Sequence, residues 1–164
     1  MGIHLHIDNR LIHGQVTITW CAYYSVEKIM VIDDKAANDP IQRIMLPQAA
    51  RSLKTIVNTV AEGIKNLKKF SLEEEEETLI ITANPHSALL LINAGLKPKT
   101  INVGNQAPIP GTKSTIVLPW ITVTDADAKD YEEIGKHGVK ITPQRTPDDK
   151  SEDLVELLKK KKLL

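Results

Sequence analysis

The chain has 164 residues with 21 basic and 21 acidic side chains, so its formal net charge is zero and no global field attracts nucleic acid. That length suits one domain over residues 1–164 with its own core, and a single cysteine, Cys21, is typical of a reducing, cytoplasmic setting in which it acts as small apolar filler. No apolar run approaches the ~18 residues that span a bilayer.

Apolar strand-like runs alternate with segments of helical period along the chain. Strands are predicted over residues 3–7, 28–32, 55–60, 78–82, 99–103, 115–118, 121–123 and 139–142. Helices are predicted over residues 16–24, 39–52, 60–69, 84–95 and 124–138. A C-terminal helix is also predicted, which residues 151–153 cap and which ends in residues 159–162. This alternation predicts an α/β fold, a single three-layer domain with a mainly parallel sheet and helices on both faces.

Three segments look irregular. Residues 73–77 are consecutive glutamates and are expected to form a solvated connection, and residues 158–164 are expected to form a frayed basic tail. Residues 104–115 hold two prolines and two glycines without periodicity. Such long loops are more often functional than idle.

The polar turn after the first strand is the strongest candidate site. Asp8, Arg10 and His13 lie there, directly before Gly14 and the first predicted helix, whose free N–H groups attract anions. The carboxyl ends of parallel strands share one edge of a sheet, where ligands bind. We therefore expect further polar residues from other strand ends to form a rim around this turn: Asp33, Asp34, Asn38, Asn84, Gly104 and Asn105.

These residue types suit phosphoryl transfer. A neutral His13 has a lone pair that can attack phosphorus, and Arg10 can pair with phosphate oxygens through its planar fork. Asp8 can orient Arg10 or fix the imidazole tautomer. The backbone of the loop and first turn, at Asn9, Gly14 and Gln15, can bind phosphate, since Gly14 allows close approach. The residues alone leave open that Asp8 and Arg10 are a structural ion pair and that His13 is a capping or surface residue.

The first predicted strand also suggests an alternative to phosphoryl transfer, namely a metal site. His4, His6 and Asp8 alternate, so they face one side of the sheet, and a His-x-His pair can bind zinc in a hydrolase. His4 lies at the strand end far from the expected ligand edge, and further ligands are not obvious.

Residues 7–16, Ile-Asp-Asn-Arg-Leu-Ile-His-Gly-Gln-Val, with Trp20 a turn later, resemble the N-terminal signature of a known family. It is the enzyme IIB component of bacterial sugar phosphotransferase systems, mannose/fructose/sorbose family. Further similarity extends over most of the chain, at 33–34, 38–39, 84–85, 94–95, 102–104, 123–124 and 138–139.

The resemblance implies that His13 carries a phosphoryl group. The donor is then enzyme IIA, and the acceptor is a sugar that the membrane components IIC and IID bind, so this chain meets the sugar only transiently. The resemblance assigns Arg10 to phosphate stabilisation and Asp8 to support of the loop, and it implies no cofactor and no metal. A non-catalytic regulatory module that retains the fold is a second alternative.

The chain departs from the family pattern at His6, where the family commonly has Arg, and at Asn105, where it commonly has a second Gly. Residues 106–119 also depart from it, and the neighbouring Trp120 is either an exposed docking residue or a buried anchor. The sequence identifies neither the sugar nor the oligomeric state, and a homodimer remains open.

Overall fold

The computed structural model describes residues 2–14, 16–72 and 76–164. The strands are β1 Ile3–Asp8, β2 Lys28–Ile32, β3 Lys54–Asn58, β4 Thr78–Thr82, β5 Thr100–Asn105, β6 Thr115–Leu118, β7 Ile121–Val123 and β8 Ile141–Pro143. A π-helical turn spans Val16–Trp20, and the α-helices are α1 Cys21–Tyr23, α2 Asp34–Ala37, α3 Pro40–Ala49, α4 Val60–Leu72, α5 Pro85–Asn93, α6 Asp125–Gly135 and α7 Leu154–Lys160.

Six strands form one sheet in the order β3-β2-β4-β1-β5-β8, and all of its pairings are parallel. Strand β1 lies in the middle, between β4 and β5, and its register with β5 shifts between Ile7 and Asp8. Strands β6 and β7 form a separate antiparallel ribbon. The predicted parallel sheet is confirmed, and the end of β1 lies among neighbouring strand ends.

The sheet separates two hydrophobic cores because successive side chains of a strand face opposite sides. One core joins Leu5, Ile80 and Ile101 to α5, α6 and α7. The other joins Val31 and Ile81 to the segment after β1 and to α2 and α3. Helices thus cover both faces, which confirms the predicted three-layer architecture.

The segment after the β1 loop differs from the single helix predicted over residues 16–24. A π-helical turn precedes one turn of α-helix, α1. The run Val16-Thr17-Ile18-Thr19 is entirely β-branched, and such side chains crowd the preceding turn of an α-helix. The described residues from Val16 to Tyr23 therefore form a short, irregular helical segment in place of the regular helix predicted.

Two further expectations need correction. Residues 34–37 form the short helix α2 inside a segment expected to be a loop, because Asp33 caps it and Ala36 and Ala37 are buried. The C-terminal tail is not frayed, since Leu158 is buried, Leu163 N donates to Leu158 O at 3.0 Å, and Leu163 and Leu164 pack against the core. The four lysines at 159–162 indicate a solvated chain end, but the leucines on both sides of them pack against the core and hold it in place.

Within the described part of the chain, no helix has the length and apolar character needed to cross a membrane.

Candidate functional site

The loop after β1 holds its polar side chains in a fixed position. Leu11 N donates to Asp8 O at 3.0 Å, closing a turn in which Leu11 has a left-handed backbone with φ of 59°. That conformation costs an L-residue about 1 kcal/mol or more, and burial of Leu11 and Ile12 in the core offsets it. These two buried aliphatic side chains anchor the loop, and Arg10 and His13 lie at its surface.

Asp8 is the centre of this loop, and its side chain is 0% exposed. Its Oδ1 accepts hydrogen bonds from Arg10 N at 2.9 Å and from Arg10 Nε at 3.0 Å. Its Oδ2 accepts from Arg10 Nη2 at 2.8 Å and contacts His13 Nε2 at 3.0 Å. These hydrogen bonds from His13 and Arg10 outweigh desolvation and lower the pKa of Asp8 to about 2, so the carboxylate is ionised at neutral pH.

The contact with Asp8 fixes the tautomer of His13. An ionised carboxylate can only accept a hydrogen bond, so His13 Nε2 must carry the proton, and in the neutral ring the lone pair is then on Nδ1. The His13 side chain is 21% exposed, so a reaction partner can reach it. The arrangement places an oriented imidazole beside a guanidinium whose side chain is 40% exposed.

A second histidine lies beneath Asp8. His6 is buried, its Nδ1 accepts from Asn102 Nδ2 at 3.2 Å, and its Nε2 lies 3.9 Å from Asp8 Oδ2. Burial lowers the pKa of His6 to about 4, against the opposing effect of Asp8, so the ring is neutral at pH 7. Gly104 packs against both residues, because a Cβ there would lie 2.7 Å from His6 Nε2 and 2.8 Å from Asp8 Oδ2.

The loops after β1, β4 and β5 meet at one edge, as predicted. Asn105 Nδ2 donates to Asn9 Oδ1 at 2.7 Å, and Ala107 N donates to the same oxygen at 3.1 Å. Asn9 and Asn84 line one cleft. Asn84 also caps α5, since its Oδ1 accepts from Ser87 N at 2.9 Å.

The predicted rim residues after β2 have structural contacts elsewhere. Asp33 Oδ2 accepts from Ala36 N at 2.9 Å and caps α2. Asp34 Oδ1 accepts from Val60 N at 2.8 Å at the start of α4, and Asn38 is exposed at the end of α2. The structure therefore brings Gly104, Asn105 and Asn84 to the β1 loop, whereas Asp33 and Asp34 stabilise helix starts. The predicted phosphate-binding residue Gln15 lies outside the described residues.

Side chains missed by sequence reasoning support the loop from the neighbouring strands. Asn102 Nδ2 donates to Gln144 O at 2.9 Å as well as to His6, and Trp20 Nε1 donates to Arg145 O at 3.0 Å. A buried asparagine in a strand of a parallel sheet is a signal that could have revealed this network, because buried polar groups need partners.

Trp120 is half-buried against the core, and the Arg145 guanidinium lies 4.2 Å from its ring centre. The segment before it is held by Gln106, whose Nε2 donates to Asp127 Oδ2 at 2.9 Å and whose Oε1 accepts from the buried Tyr131 hydroxyl. These contacts favour the anchor interpretation of Trp120.

The alternative metal site does not assemble. His4 Nδ1 contacts Thr100 Oγ1 and His4 Nε2 contacts Glu77 Oε2, both at 2.8 Å, at the opposite end of β1 from Asp8. The described residues contain no group of three His, Cys, Asp or Glu side chains able to hold a metal ion.

Comparison with known proteins identifies the family. The model of the sorbose-subfamily IIB component of the phosphotransferase system (PTS) matches residues 3–164. The chain belongs to this PTS IIB family. The fructose-specific EIIB component of Bacillus subtilis is 30% identical over 155 residues, which are 93% of each protein.

Other relatives agree. The crystal structure of the IIB domain of the Klebsiella pneumoniae sorbose permease superposes with a TM-score of 0.88 at 27% identity, covering 98% of each chain. The mannose-specific EIIAB component of Escherichia coli K12 is 29% identical over 157 residues, which are 94% of this chain and 47% of that protein. The relatives named for fructose, mannose and sorbose are 30%, 29% and 27% identical to this chain. Sequence identity therefore supports a PTS IIB phosphotransfer role without selecting a sugar.

Proposed function

We propose that His13 is the residue that accepts the phosphoryl group, with enzyme IIA as donor and a sugar presented by the membrane components IIC and IID as acceptor. The activity is then that of a protein-N(pi)-phosphohistidine–sugar phosphotransferase. The observation that supports the proposal is the 3.0 Å contact between His13 Nε2 and Asp8 Oδ2, because a proton on Nε2 leaves the lone pair of the neutral ring on Nδ1.

In the accepting step, His13 Nδ1 attacks phosphorus as the bond between phosphorus and the nitrogen of the donor histidine breaks. The proton stays on His13 Nε2, and the positive charge that develops on the ring is stabilised by Asp8 at 3.0 Å. Arg10 can turn from Asp8 toward the equatorial oxygens of the transferring group, where a planar guanidinium neutralises charge bidentately. Asn9, Gly14 and Gln15 would add backbone contacts to phosphate.

In the donating step, a sugar hydroxyl attacks the phosphorus on Nδ1. The P–N bond breaks, its electron pair returns to Nδ1, and the hydroxyl gives its proton to a base of the membrane component or to water. The imidazole of His13 is a good leaving group while Nε2 remains protonated. The contact between Nε2 and Asp8 therefore assists both the accepting and the donating step. One histidine can thereby meet two partners in succession.

The partners follow from the same role. The name EIIAB of the mannose-specific relative supports a IIA donor. Asn84 and Asn105 border the loop and are proposed to contact a docked partner or the phosphoryl group. Gly104, which is buried, is proposed to support the site by leaving room for Asp8 and His6. The chain would act as one domain at the cytoplasmic surface of the membrane transporter, with its sugar determined largely by IIC and IID.

Phosphorylation of defined histidine variants tests the proposal. The protein is incubated with phosphoenolpyruvate, the general phosphotransfer proteins and IIA, and acid-labile phosphate is measured. His13→Ala is expected to abolish incorporation while circular dichroism and the melting curve stay near those of the wild type. The matched control is His137→Ala, which removes an exposed histidine and is expected to leave incorporation unchanged.

Incorporation into His13→Ala at the wild-type level would place the phosphate elsewhere and contradict the proposal. No acid-labile phosphate on the wild type, with a IIA that phosphorylates another IIB protein in the same assay, would favour a non-catalytic regulatory module.

A further inference from the structure

His6 combines features that no step of the proposed transfer uses. It is 1% exposed, and its Nε2 is a buried side-chain atom without a hydrogen-bond partner among the described residues. A neutral N–H left unpaired in a protein interior costs free energy, so its persistence directly beneath the site calls for an explanation.

The orientation of His6 is fixed by its neighbours. Asn102 Nδ2 donates to His6 Nδ1 at 3.2 Å, so a neutral ring carries its proton on Nε2. Asn102 is itself fixed, because it also donates to Gln144 O and accepts from Gln144 N. The N–H of His6 Nε2 is thus held near Asp8 Oδ2, 3.9 Å away, about 1 Å beyond ordinary hydrogen-bond length.

The space beside this gap is kept clear by Gly104. Any Cβ at that position would lie within 3 Å of both His6 Nε2 and Asp8 Oδ2. A small rotation of either side chain can therefore close the gap without meeting a third side chain at position 104.

The hydrogen bonds of Asp8 explain why the gap would close. In this structure Arg10 supplies two side-chain hydrogen bonds to Asp8, one to each oxygen. If Arg10 turns to a phosphoryl group, the fully buried carboxylate of Asp8 loses both of these side-chain hydrogen bonds. Its hydrogen bonds from the Arg10 backbone N–H and from His13 Nε2 remain. A buried carboxylate that loses donors becomes a poorer partner for His13 unless another donor replaces them.

We propose that His6 is a positioning residue for Asp8, whose Nε2–H hydrogen-bonds Asp8 Oδ2 when Arg10 leaves that carboxylate for the phosphoryl group. This role rests on the proposed phosphorylation of His13. It keeps Asp8 oriented toward His13 Nε2 at the moment when the ring becomes charged. Because burial lowers the pKa of His6 to about 4, the ring remains a neutral donor through this change.

Histidine NMR tests the exchange directly. Protein labelled with 15N at histidine is studied as wild type, as phosphorylated wild type and as unphosphorylated Arg10→Gln, whose shorter side chain no longer reaches both Asp8 oxygens. The Nε2 proton of His6 is expected to move downfield in the last two samples relative to the first. The Arg10→Gln sample needs no phosphate, so it decides the proposal even where phosphorylation of His13 fails.

An unchanged His6 Nε2 proton in Arg10→Gln would overturn the proposal, as would a wild-type His6 with its proton on Nδ1. The backbone amide spectrum of the same samples shows whether each is folded.

Transfer rates give a second measurement. His6→Leu removes the donor and is expected to slow phosphoryl transfer about tenfold to a hundredfold per folded molecule, the factor that one hydrogen bond to a charged group represents. His6→Gln keeps an N–H near the position of Nε2 and is expected to recover most of the rate. Equal rates for the two variants after correction for folded fraction would contradict the role.

Discussion

Asp8 and Asp33 occupy equivalent places, each at or just beyond the carboxyl end of a buried parallel strand, yet their oxygens have different partners. Asp33 accepts from the backbone of Ala36 and begins a helix. Asp8 accepts from the side chains of Arg10 and His13. The difference comes from the next segment of chain: α2 starts directly after Asp33, whereas the chain after Asp8 turns at Leu11 with a left-handed backbone. The carboxylate that no helix start uses is the one that binds the side chains of Arg10 and His13.

The largest difference between the two regions is expected when the negative charge of Asp8 or of Asp33 is removed. Asp8→Asn is expected to lower phosphoryl transfer about a hundredfold or more, because Arg10 and His13 both lose a charge-assisted hydrogen bond. Asp33→Asn is the matched control: Asn caps helices as well as Asp, so unfolding free energy should change by less than about 0.5 kcal/mol and transfer should not change. Transfer rates and urea denaturation measure both, and equal losses in the two variants would refute the distinction.

Acid should weaken the Asp8 region through the buried histidine beneath it. Burial lowers the pKa of folded His6 to about 4, while the unfolded chain takes up a proton near pH 6.5, so stability falls as pH drops through this window. Between pH 7 and pH 5 the wild type should lose about 2 kcal/mol more than His6→Gln, which does not titrate there.

Urea denaturation at both pH values measures this difference. The contribution of Asp8 does not interfere, since its lowered pKa of about 2 gives stability that is present above pH 4 and is lost only as pH falls toward 2. A parallel loss of stability in wild type and His6→Gln would contradict the account.

Two glycines near the site should respond differently to a methyl group. Gly104→Ala would place its Cβ within 3 Å of His6 and Asp8 and should cost about 1–3 kcal/mol of unfolding free energy. Gly14→Ala meets no atom within 4 Å, so its stability should be retained, while transfer should slow if phosphate approaches the backbone there. Thermal or urea denaturation and transfer rates distinguish the cases, and a stable Gly104→Ala would show that the site tolerates displacement.

The smallest effect on phosphoryl transfer is expected when the planar guanidinium of Arg10 is replaced by another cation. Arg10→Lys keeps the charge but loses the planar fork, so transfer should slow about tenfold while His13 still accepts phosphate. Arg145→Lys is the control, since Arg145 pairs with Asp149 outside the loop and should leave the rate unchanged. Identical rates for wild type and Arg10→Lys would remove the bidentate role.

Local features of the fold were predictable. The strands 28–32 and 78–82 were predicted with the observed bounds, because each contains a continuous apolar run, at 29–32 and 79–81, and every residue of both strands is buried. The helix starts at Asp39, Asn84 and Thr124 were predicted because capping depends on a few adjacent residues.

Features that depend on packing between distant residues were not predictable. The order of the strands, the support of His6 by Asn102 and the reason for glycine at 104 all rest on contacts between residues that are distant in sequence, such as the 96 positions between His6 and Asn102. For the same reason the grouping of Asp8, Arg10 and His13, which are close in sequence, could be predicted. Asp33 and Asp34 were included in the predicted rim although helix starts use their oxygens.

The most direct test of the account is the position of the phosphate on the ring. In the phosphorylated protein labelled with 15N at histidine, coupling to phosphorus is expected at Nδ1 of His13, with a proton retained on Nε2 beside Asp8. Coupling at Nε2 of His13, or at another histidine, would contradict the central claim that Asp8 orients His13 as the phosphoryl acceptor.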